Sequence, residues 1–231
     1  MATKATDRPE PATRADPQRE THGATRTAIR DLVYQVLEAE LGGVQVYRAA
    51  LRCAVNPDLR KEWEHYLRQT ERHVQIARRT VESLGMDPEL DVVARMPVRT
   101  IGLALVSAIE QGIASGDPVA AQLTAADCVV AAEVKDHQNW SLLGKLAGSV
   151  DPDVAAILRA AADEVEPEED HHQYHSMGWS RELWLDALGV PAVLPPQEER
   201  QHVGSAEDAA QAKKDRKAAR TSAARAAFRS K

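Results

Sequence analysis

The sequence predicts an all-α protein: an antiparallel four-helix bundle with an extra short helix in one connection and disordered tails. Aromatic residues make up only 4% of the chain, while Ala, Leu, Glu, Arg and Gln dominate. This composition is typical of helices. Apolar residues also recur in four long stretches with the period of an α-helix. A repeated helix-start signal divides these stretches from one another.

That signal is an Asn or Asp followed by proline, and it occurs at Asn56-Pro57, Asp87-Pro88, Asp117-Pro118 and Asp151-Pro152. An Asn or Asp side chain at the N-cap accepts hydrogen bonds from backbone amides that the helix leaves unpaired. Proline at the first helical position loses nothing by lacking its N–H. We therefore predict helix starts at three of these sites, and only a turn at 87–88.

Four long helices are predicted over 27–55, 57–84, 117–148 and 152–188, with a shorter linking helix over about 98–115. The connections within the first and the second pair of long helices are short, so each pair is expected to form an antiparallel hairpin. The connection between the second and third long helices is long enough to cross over, and it carries the linking helix.

The predicted bundle domain, 27–189, lies between two polar tails. Residues 1–26 mix Thr, Pro, Arg and Asp without periodicity, which predicts disorder. Residues 190–231 begin as a Pro-containing linker and continue as a basic Ala/Lys/Arg-rich tail. Because residues 211–231 carry +7 and the whole chain −6, the other residues carry −13. The basic tail predicts weak nucleic-acid contact, with a merely solvated tail as the alternative.

Composition also limits the cellular setting. The two cysteines, Cys53 and Cys128, are too few for a disulfide framework. The longest apolar stretch, 101–109, is too short to span a bilayer, and no apolar leader is apparent. We therefore expect a cytoplasmic protein without membrane contact. Gly-rich phosphate loops and Cys-x-x-Cys motifs are absent from the sequence.

Ionisable residues interrupt the apolar stripes of three predicted helices. They are Glu40 on the first, Glu133 and His137 on the third, and Glu168, His172 and His175 on the fourth. A buried carboxylate is strongly unfavourable unless a positive charge pairs with it, and a bound cation can provide that charge. Carboxylates combined with imidazoles suit iron, manganese or zinc. These residues therefore predict a metal site inside the bundle.

The candidates are expected at similar depth within each hairpin. Counted from the turn, Glu40 faces the second helix near residue 74, within a turn of Glu71 and His73. Those two residues flank the apolar stripe of that helix on opposite sides. Glu133 faces the fourth helix near residue 171, which Glu168 and His172 bracket.

This arrangement resembles the ferritin-like di-iron carboxylate superfamily, in which two helices each give a Glu and two others each give Glu-x-x-His. The fourth predicted helix contains that motif twice, as Glu168-Pro-Glu-His171 and Glu169-Asp-His-His172. Glu40 and Glu133 take the single-Glu positions. The segment 65–73 is also similar to part of the bacterial YciE/YciF-like stress proteins.

The resemblance implies a stress-response protein that binds two iron ions, or manganese, and forms a dimer or larger homo-oligomer. It implies reaction with dioxygen or peroxide, as a ferroxidase, in peroxide detoxification or as an oxygenase. The implied metal ligands are Glu40, Glu133, His137, Glu168 and His172, with Glu71 and His171 as second choices and His175 as a ligand or supporting donor.

The second helix does not complete this pattern. Its apolar stripe carries no carboxylate, and the match Glu62-Trp-Glu-His65 lies too near the loop. A single metal, or an asymmetric pair, is therefore an alternative to a symmetrical centre. A metal-free helical binding or stress-associated structural protein, acting through its surface or basic tail, is the alternative function.

Overall fold

Helices make up the regular structure of the protein. The computed structural model describes the backbone of residues 17–229 and the side chains of residues 26–219. The helices are α1 (Pro17–Leu51), α2 (Pro57–Ser83), α3 (Met96–Ala114), α4 (Pro118–Leu146), α5 (Pro152–Ala187), α6 (Gln197–Arg200) and α7 (Ala206–Arg229), with a 3-10 turn at Val93–Arg95. No strand occurs within residues 17–229, which confirms the all-α prediction. None of the described helices is long and apolar enough to cross a membrane.

The predicted capping residues begin three of the long helices. The side chains of Asn56 and Asp117 each accept hydrogen bonds from two backbone amides of the following turn, and Asp151 accepts one. Asp87 instead caps a turn, where its carboxylate accepts the Glu89 N–H at 2.9 Å. The helix starts and the turn predicted from these dipeptides are therefore confirmed.

The four longest helices pack as neighbours in a ring. α1 contacts α2 and α4, and α5 contacts the same two helices. Contacts between neighbours run in opposite order along the two helices. Glu40 of α1 contacts Trp140 of α4, and the Val55 N–H just after α1 contacts Gln122 of α4. Tyr66 and His73 of α2 likewise contact His175 and Glu168 of α5. These neighbouring helices are thus antiparallel. Because α2 and α4 both run opposite to α1, the segment between them must return along the length of these helices.

α3 lies in that return segment and packs against α1 and α4. Its backbone approaches α1 closely at a pair of glycines: a Cβ added to Gly102 would lie 3.5 Å from the Cα of Gly42. Next to this crossing, the buried Glu38 carboxylate of α1 accepts hydrogen bonds from Arg95 at 2.6 Å and Arg99 at 2.7 Å. Small residues and a buried ion pair together fix α3 on the outside of the ring.

The core consists of two apolar clusters with a polar layer between them. One cluster includes Trp63 and Trp179, and the other includes Leu37 and Leu158. Burying each such side chain contributes about 1.5–3 kcal/mol. The two clusters therefore hold the helices in register above and below a layer whose polar groups oppose burial.

The C-terminal segment differs from the predicted disordered tail. α6 packs on α5, α7 follows against α6, and Val203 and Ala212 are buried. Arg216 of α7 pairs with the fully buried Glu182 of α5, at 2.9 Å between Nη2 and Oε2. An ion pair rather than an apolar stripe makes this contact, so hydrophobic periodicity does not reveal it.

At the other end, α1 begins at Pro17, before the predicted start at residue 27. The first 16 residues of the predicted N-terminal tail lie outside the described residues.

Arg216→Ala is expected to lower the free energy of unfolding by about 1.5–3 kcal/mol, the usual contribution of a hydrogen bond to a charged group. The loss is limited because Glu182 keeps Arg181 and the Val193 N–H. Denaturant unfolding measures the loss, and limited proteolysis should show faster cleavage within α7.

The matched control is Lys213→Ala, an exposed position of the same helix, which should change stability by less than about 0.5 kcal/mol. If Arg216→Ala and Lys213→Ala are cleaved at the rate of the unaltered protein, α7 is not docked through Arg216.

Candidate metal centre

Buried carboxylates and imidazoles from all four helices of the ring meet in the polar layer. They are Glu40 of α1, His73 of α2, Glu133 of α4, and Glu169 and His172 of α5. They form two triads that share Glu169, one with Glu40 and His73 and the other with Glu133 and His172. Within each triad, one ligand atom from each residue lies within 4.8 Å of the others.

One oxygen of Glu169 lies between the two imidazoles. His73 Nδ1 is 2.9 Å from Glu169 Oε1 and 3.5 Å from Glu40 Oε1. His172 Nδ1 is 3.4 Å from the same Glu169 oxygen and 3.5 Å from Glu133 Oε2. Glu169 would therefore be the residue common to both metal positions.

The opposite nitrogen of each imidazole is held by a partner outside the triads. His73 Nε2 lies 2.8 Å from Glu168 Oε2, and His172 Nε2 lies 3.0 Å from Gln69 Oε1. Histidines that bind metals usually donate their second N–H to a carboxylate or carbonyl oxygen, which fixes the ring orientation. Both rings are thus oriented with Nδ1 toward the carboxylates. Trp140 similarly orients Glu40 by donating its indole N–H to Oε1 at 2.6 Å.

Several buried polar atoms of this layer have no hydrogen-bond partner among the described residues. They are the carboxylate oxygens Glu40 Oε2, Glu133 Oε2, Glu169 Oε2 and Asp136 Oδ1. Buried polar atoms are almost always hydrogen-bonded, because an unpaired one loses the free energy of hydration without compensation. Acceptor oxygens that converge unpaired on one layer are the arrangement that a bound cation would satisfy.

Asp136 adds a carboxylate that the sequence analysis missed. It is only 5% exposed and lies one helical turn after Glu133 on α4. A Cβ added to Gly43 would lie 3.9 Å from Asp136 Oδ2 and 3.2 Å from the Thr70 methyl group. Thr70 stands three residues before His73, where a Glu-x-x-His motif would have its Glu. A buried carboxylate thus lies near that level on α4, where α2 has none.

Burial and mutual repulsion raise the pKa of two carboxylates. Burial raises the pKa of Glu40 to about 7. Burial, together with the charges of Glu40, Glu169 and Glu133, raises the pKa of Asp136 well above its usual range. The protonated form is therefore more populated in both groups than in an exposed carboxyl.

Ion pairing determines the direction of the pKa shift of Glu169, His73 and His172. Burial alone would raise the pKa of Glu169, but pairing with His172 and His73 lowers it to about 2. Burial opposes the charged form of His73, yet Glu169 and Glu40 raise its pKa to about 11. Burial also opposes the charged form of His172, and Glu133 and Glu169 raise its pKa to about 9. Both imidazoles are therefore protonated at neutral pH in the protein alone.

The structure brings only some of the predicted ligands together. Glu40, Glu133 and His172 lie in the triads. Glu168 lies at their edge, 25% exposed, between His73 and Arg72. The remaining predicted ligands lie outside the triads. Glu71 pairs with Arg48 at the surface, and His137 contacts Asp170 at 2.8 Å. His171 stacks on His175, whose Nδ1 lies 2.9 Å from the Tyr66 hydroxyl.

His73 and Glu169 take the places that the sequence analysis gave to Glu71 and Glu168. His73 is fully buried, whereas the Glu71 side chain is 44% exposed. Glu169 is 1% exposed. The second of the two Glu-x-x-His matches in α5, Glu169 to His172, is thus the one that faces inward. Adjacent positions differ by about 100° around a helix, and the apolar period does not resolve that difference at these two sites.

A second buried polar group adjoins the triads on the side of α6. The Tyr66 ring lies 4.5 Å from the His172 ring, and its hydroxyl lies 2.9 Å from His175 Nδ1. His175 Nδ1 is also 3.1 Å from Glu199 of α6, which accepts the Trp179 indole N–H at 3.3 Å. The C-terminal segment therefore covers one side of the candidate centre.

Comparisons with protein-family models, with curated proteins and with solved structures find no match to this chain.

Metal binding is expected to release about two or more protons per centre, because metals coordinate neutral imidazole and ionised carboxylate. His73 and His172 have raised pKa values, about 11 and 9, so both hold a proton that the metal must displace at pH 7. Raising the pH weakens this competition, so the apparent Mn(II) affinity should rise from pH 6 to pH 9. Titration calorimetry in buffers of different ionisation enthalpy counts the protons, and an affinity that is independent of pH would contradict this assignment.

Proposed function

We propose that the protein is a ferritin-like metal protein that binds two ions, iron or alternatively manganese, in its polar layer. The observation that carries this proposal is the pair of buried triads that share Glu169. The ligands would be Glu40, His73 and Glu169 for one ion, and Glu133, His172 and Glu169 for the other.

The charge of the layer supports two divalent ions. Glu40, Glu133, Asp136 and Glu169 are all buried, and together they would carry four negative charges when ionised. Two divalent cations would balance that charge, so the desolvation penalty of each carboxylate would be offset by its partner. Oxygen donors with one imidazole nitrogen for each ion suit iron or manganese, and zinc remains chemically compatible.

The order of the helices supports the same family. In ferritin-like proteins, two antiparallel hairpins are joined by a long connection, and facing helices supply the metal ligands. The ring of α1, α2, α4 and α5 has these antiparallel neighbours, and α3 lies in the connection. The departure from the pattern is on α2, where Thr70 stands at the position of the expected Glu and only His73 joins the triads. The proposed centre is accordingly asymmetric.

Iron bound here would supply redox chemistry with dioxygen or peroxide. The residues of the chain would hold the ions, neutralise their charge and restrict water. The Tyr47 and Tyr66 rings pack beside His172, and the apolar clusters lie above and below the layer. Ferroxidase activity, peroxide detoxification and oxygenation are all compatible with this site. A stress role, homo-oligomerisation and nucleic-acid contact through the basic tail remain predictions.

Adding Mn(II), or Fe(II) under anaerobic conditions, is expected to raise the melting temperature of the protein, and chelation should lower it. A ligand that binds only the folded state contributes roughly 2.7 kcal/mol at a hundredfold excess over Kd. Glu169→Gln should remove most of this response, because Glu169 belongs to both triads. Calorimetric melting and elemental analysis of protein purified without an affinity tag are the measurements.

Glu71→Gln is the matched control, since Glu71 is a surface residue of α2 that pairs with Arg48. It should keep the full metal response. If the unaltered protein neither carries metal nor gains stability from any added ion, the proposal fails, and the metal-free binding protein becomes the better interpretation.

Glu133→Leu is expected to stabilise the protein in the presence of chelator while weakening its response to metal. Glu133 shares the layer with three other buried carboxylates, so an apolar replacement removes its desolvation penalty and its repulsion of them. His172 would keep Glu169 as its ion-pair partner. Denaturant unfolding with and without metal measures both effects. If Glu133→Leu destabilises the chelated protein and leaves the metal response intact, Glu133 has a structural role instead.

A further inference from the structure

The outward face of α3 carries no charge. Its exposed residues recur at helical spacing and form one stripe, the α3 stripe: Met96, Thr100, Leu103, Ala104, Ser107 and Gln111. The stripe is about 22 Å long. Surface helices usually turn charged residues outward, as α2 does with Lys61, Glu64 and Arg68. The α3 stripe therefore differs from an ordinary solvent-facing surface.

The two ionisable residues of α3 both face α1 instead of the stripe. Arg99 donates to the buried Glu38 carboxylate at 2.7 Å, and Glu110 pairs with Arg52. The side of α3 opposite the stripe, which includes Val98 and Ile109, is buried. The charges of α3 thus lie along one edge of the stripe, and they are paired within the chain.

Large apolar side chains are exposed on the stripe and next to it. Met96 is 56% exposed and Leu103 is 55% exposed. Val93 precedes the helix and is 80% exposed, and Ile101 beside the stripe is 51% exposed. Val134 of the neighbouring α4 is 45% exposed. Exposed apolar residues that collect in one region are typical of an interaction surface.

The charge of the chain favours a second copy as the partner of this surface. The residues outside 211–231 carry −13. They would repel nucleic acid or an anionic membrane, and the stripe offers no cation to hold either one. A basic partner would find no carboxylate on the stripe. Two acidic copies repel each other least where an uncharged face of one meets the same face of the other.

The stripe is also complementary to itself in shape when two helices pack antiparallel. A two-fold axis between Leu103 and Ala104 places Leu103 opposite the partner's Ala104. It also places Thr100 opposite the partner's Ser107. Each larger side chain then meets a smaller one. The small residues at the centre suit the distance of about 8–10 Å at which packed helix axes lie.

The charged edge of the stripe matches under the same symmetry. In an antiparallel pair, the two-fold axis brings the edges that face α1 to the same side of the contact. Arg99 would then lie within one helical turn of the partner's Glu110 along the helix axis. Opposite charges, and not like charges, would therefore meet beside the uncharged centre.

We propose that two copies of this chain associate through the α3 stripe, with their α3 helices antiparallel about a two-fold axis near Leu103 and Ala104. The contact lies outside the ring of α1, α2, α4 and α5 and involves none of the proposed metal ligands. It therefore goes beyond the proposed function and does not rest on it.

Sedimentation of the full chain tests the association. The unaltered protein should be a dimer at micromolar concentration, with or without chelator. Ala104→Glu places a carboxylate next to its symmetry mate in an uncharged contact, so it should raise the dimer dissociation constant roughly tenfold or more. Ala160→Glu makes the same change at an exposed alanine of α5 and should leave the dissociation constant unchanged.

Two sedimentation results would overturn the proposal. One is an unaltered protein that stays monomeric at micromolar concentration. The other is a dimer that Ala104→Glu leaves intact, because the copies would then meet through another surface. Circular dichroism should show equal helix content in both variants, since both alanines are exposed. If Ala104→Glu loses helix, cross-linking decides alone.

Cross-linking tests the antiparallel register. Met96→Cys and Gln111→Cys proteins, mixed in equal amounts, should form a covalent dimer with a short bismaleimide, because Met96 would lie opposite the partner's Gln111. Met96→Cys alone should not, since an antiparallel pair separates the two copies of residue 96 by about 22 Å. The native Cys53 and Cys128 are buried, and the unaltered protein gives their background reaction.

A matched control excludes links that form by random collision. Ala160→Cys places a thiol at an exposed position of α5, and it should give no covalent dimer. If Ala160→Cys links as readily as the mixture, or if the mixture does not link, the proposal fails. Linking of Met96→Cys alone would show parallel helices and would also contradict it.

Discussion

Four buried carboxylates in one interior layer are the constraint on which the rest of this structure depends. Glu40, Glu133, Asp136 and Glu169 are each at most 5% exposed, and they share a volume with only two imidazoles. Such groups repel one another and lose hydration on burial, so they oppose the folded state unless cations or protons neutralise them. The apolar clusters on both sides of the layer must supply the stability that the layer removes. The same unfavourable layer is what would make the folded protein bind divalent metal strongly.

The asymmetry of the layer originates at residue 70. Thr70 donates its hydroxyl to the Tyr66 carbonyl at 2.9 Å and presents its methyl group toward Gly43. A Glu at this position would be longer and would enter the space next to Gly43. With a short side chain on α2, the carboxylate near this position is Asp136 of α4, so α2 contributes His73 but no carboxylate to the layer.

The starts of the helices were predictable from the sequence, but the residues that each helix turns toward the interior were only partly predictable. The helix starts follow from an N-cap side chain and a proline that act within one turn. Glu40 and Glu133 were found because a carboxylate on an apolar stripe is conspicuous. Whether Glu169 or Glu168, and His73 or Glu71, faces the interior depends on how each helix is rotated about its own axis. Tertiary packing sets that rotation. The docking of α7 escaped prediction because an ion pair through Arg216, and not an apolar stripe, connects α7 to α5.

The docked C-terminal segment shields one side of the candidate site from water. Glu199 of α6 is within 3.5 Å of both His175 and the Tyr66 hydroxyl, while the Tyr66 ring lies against His172. Without α6, His175 and Tyr66 would face water at the edge of the triads, and His172 would lose part of its low-dielectric surroundings. The electrostatic interactions of the layer strengthen as water is excluded. The ion pair between Glu182, which lies beyond His172 on α5, and Arg216 of α7 therefore contributes to the environment of the ligands by holding this cover in place.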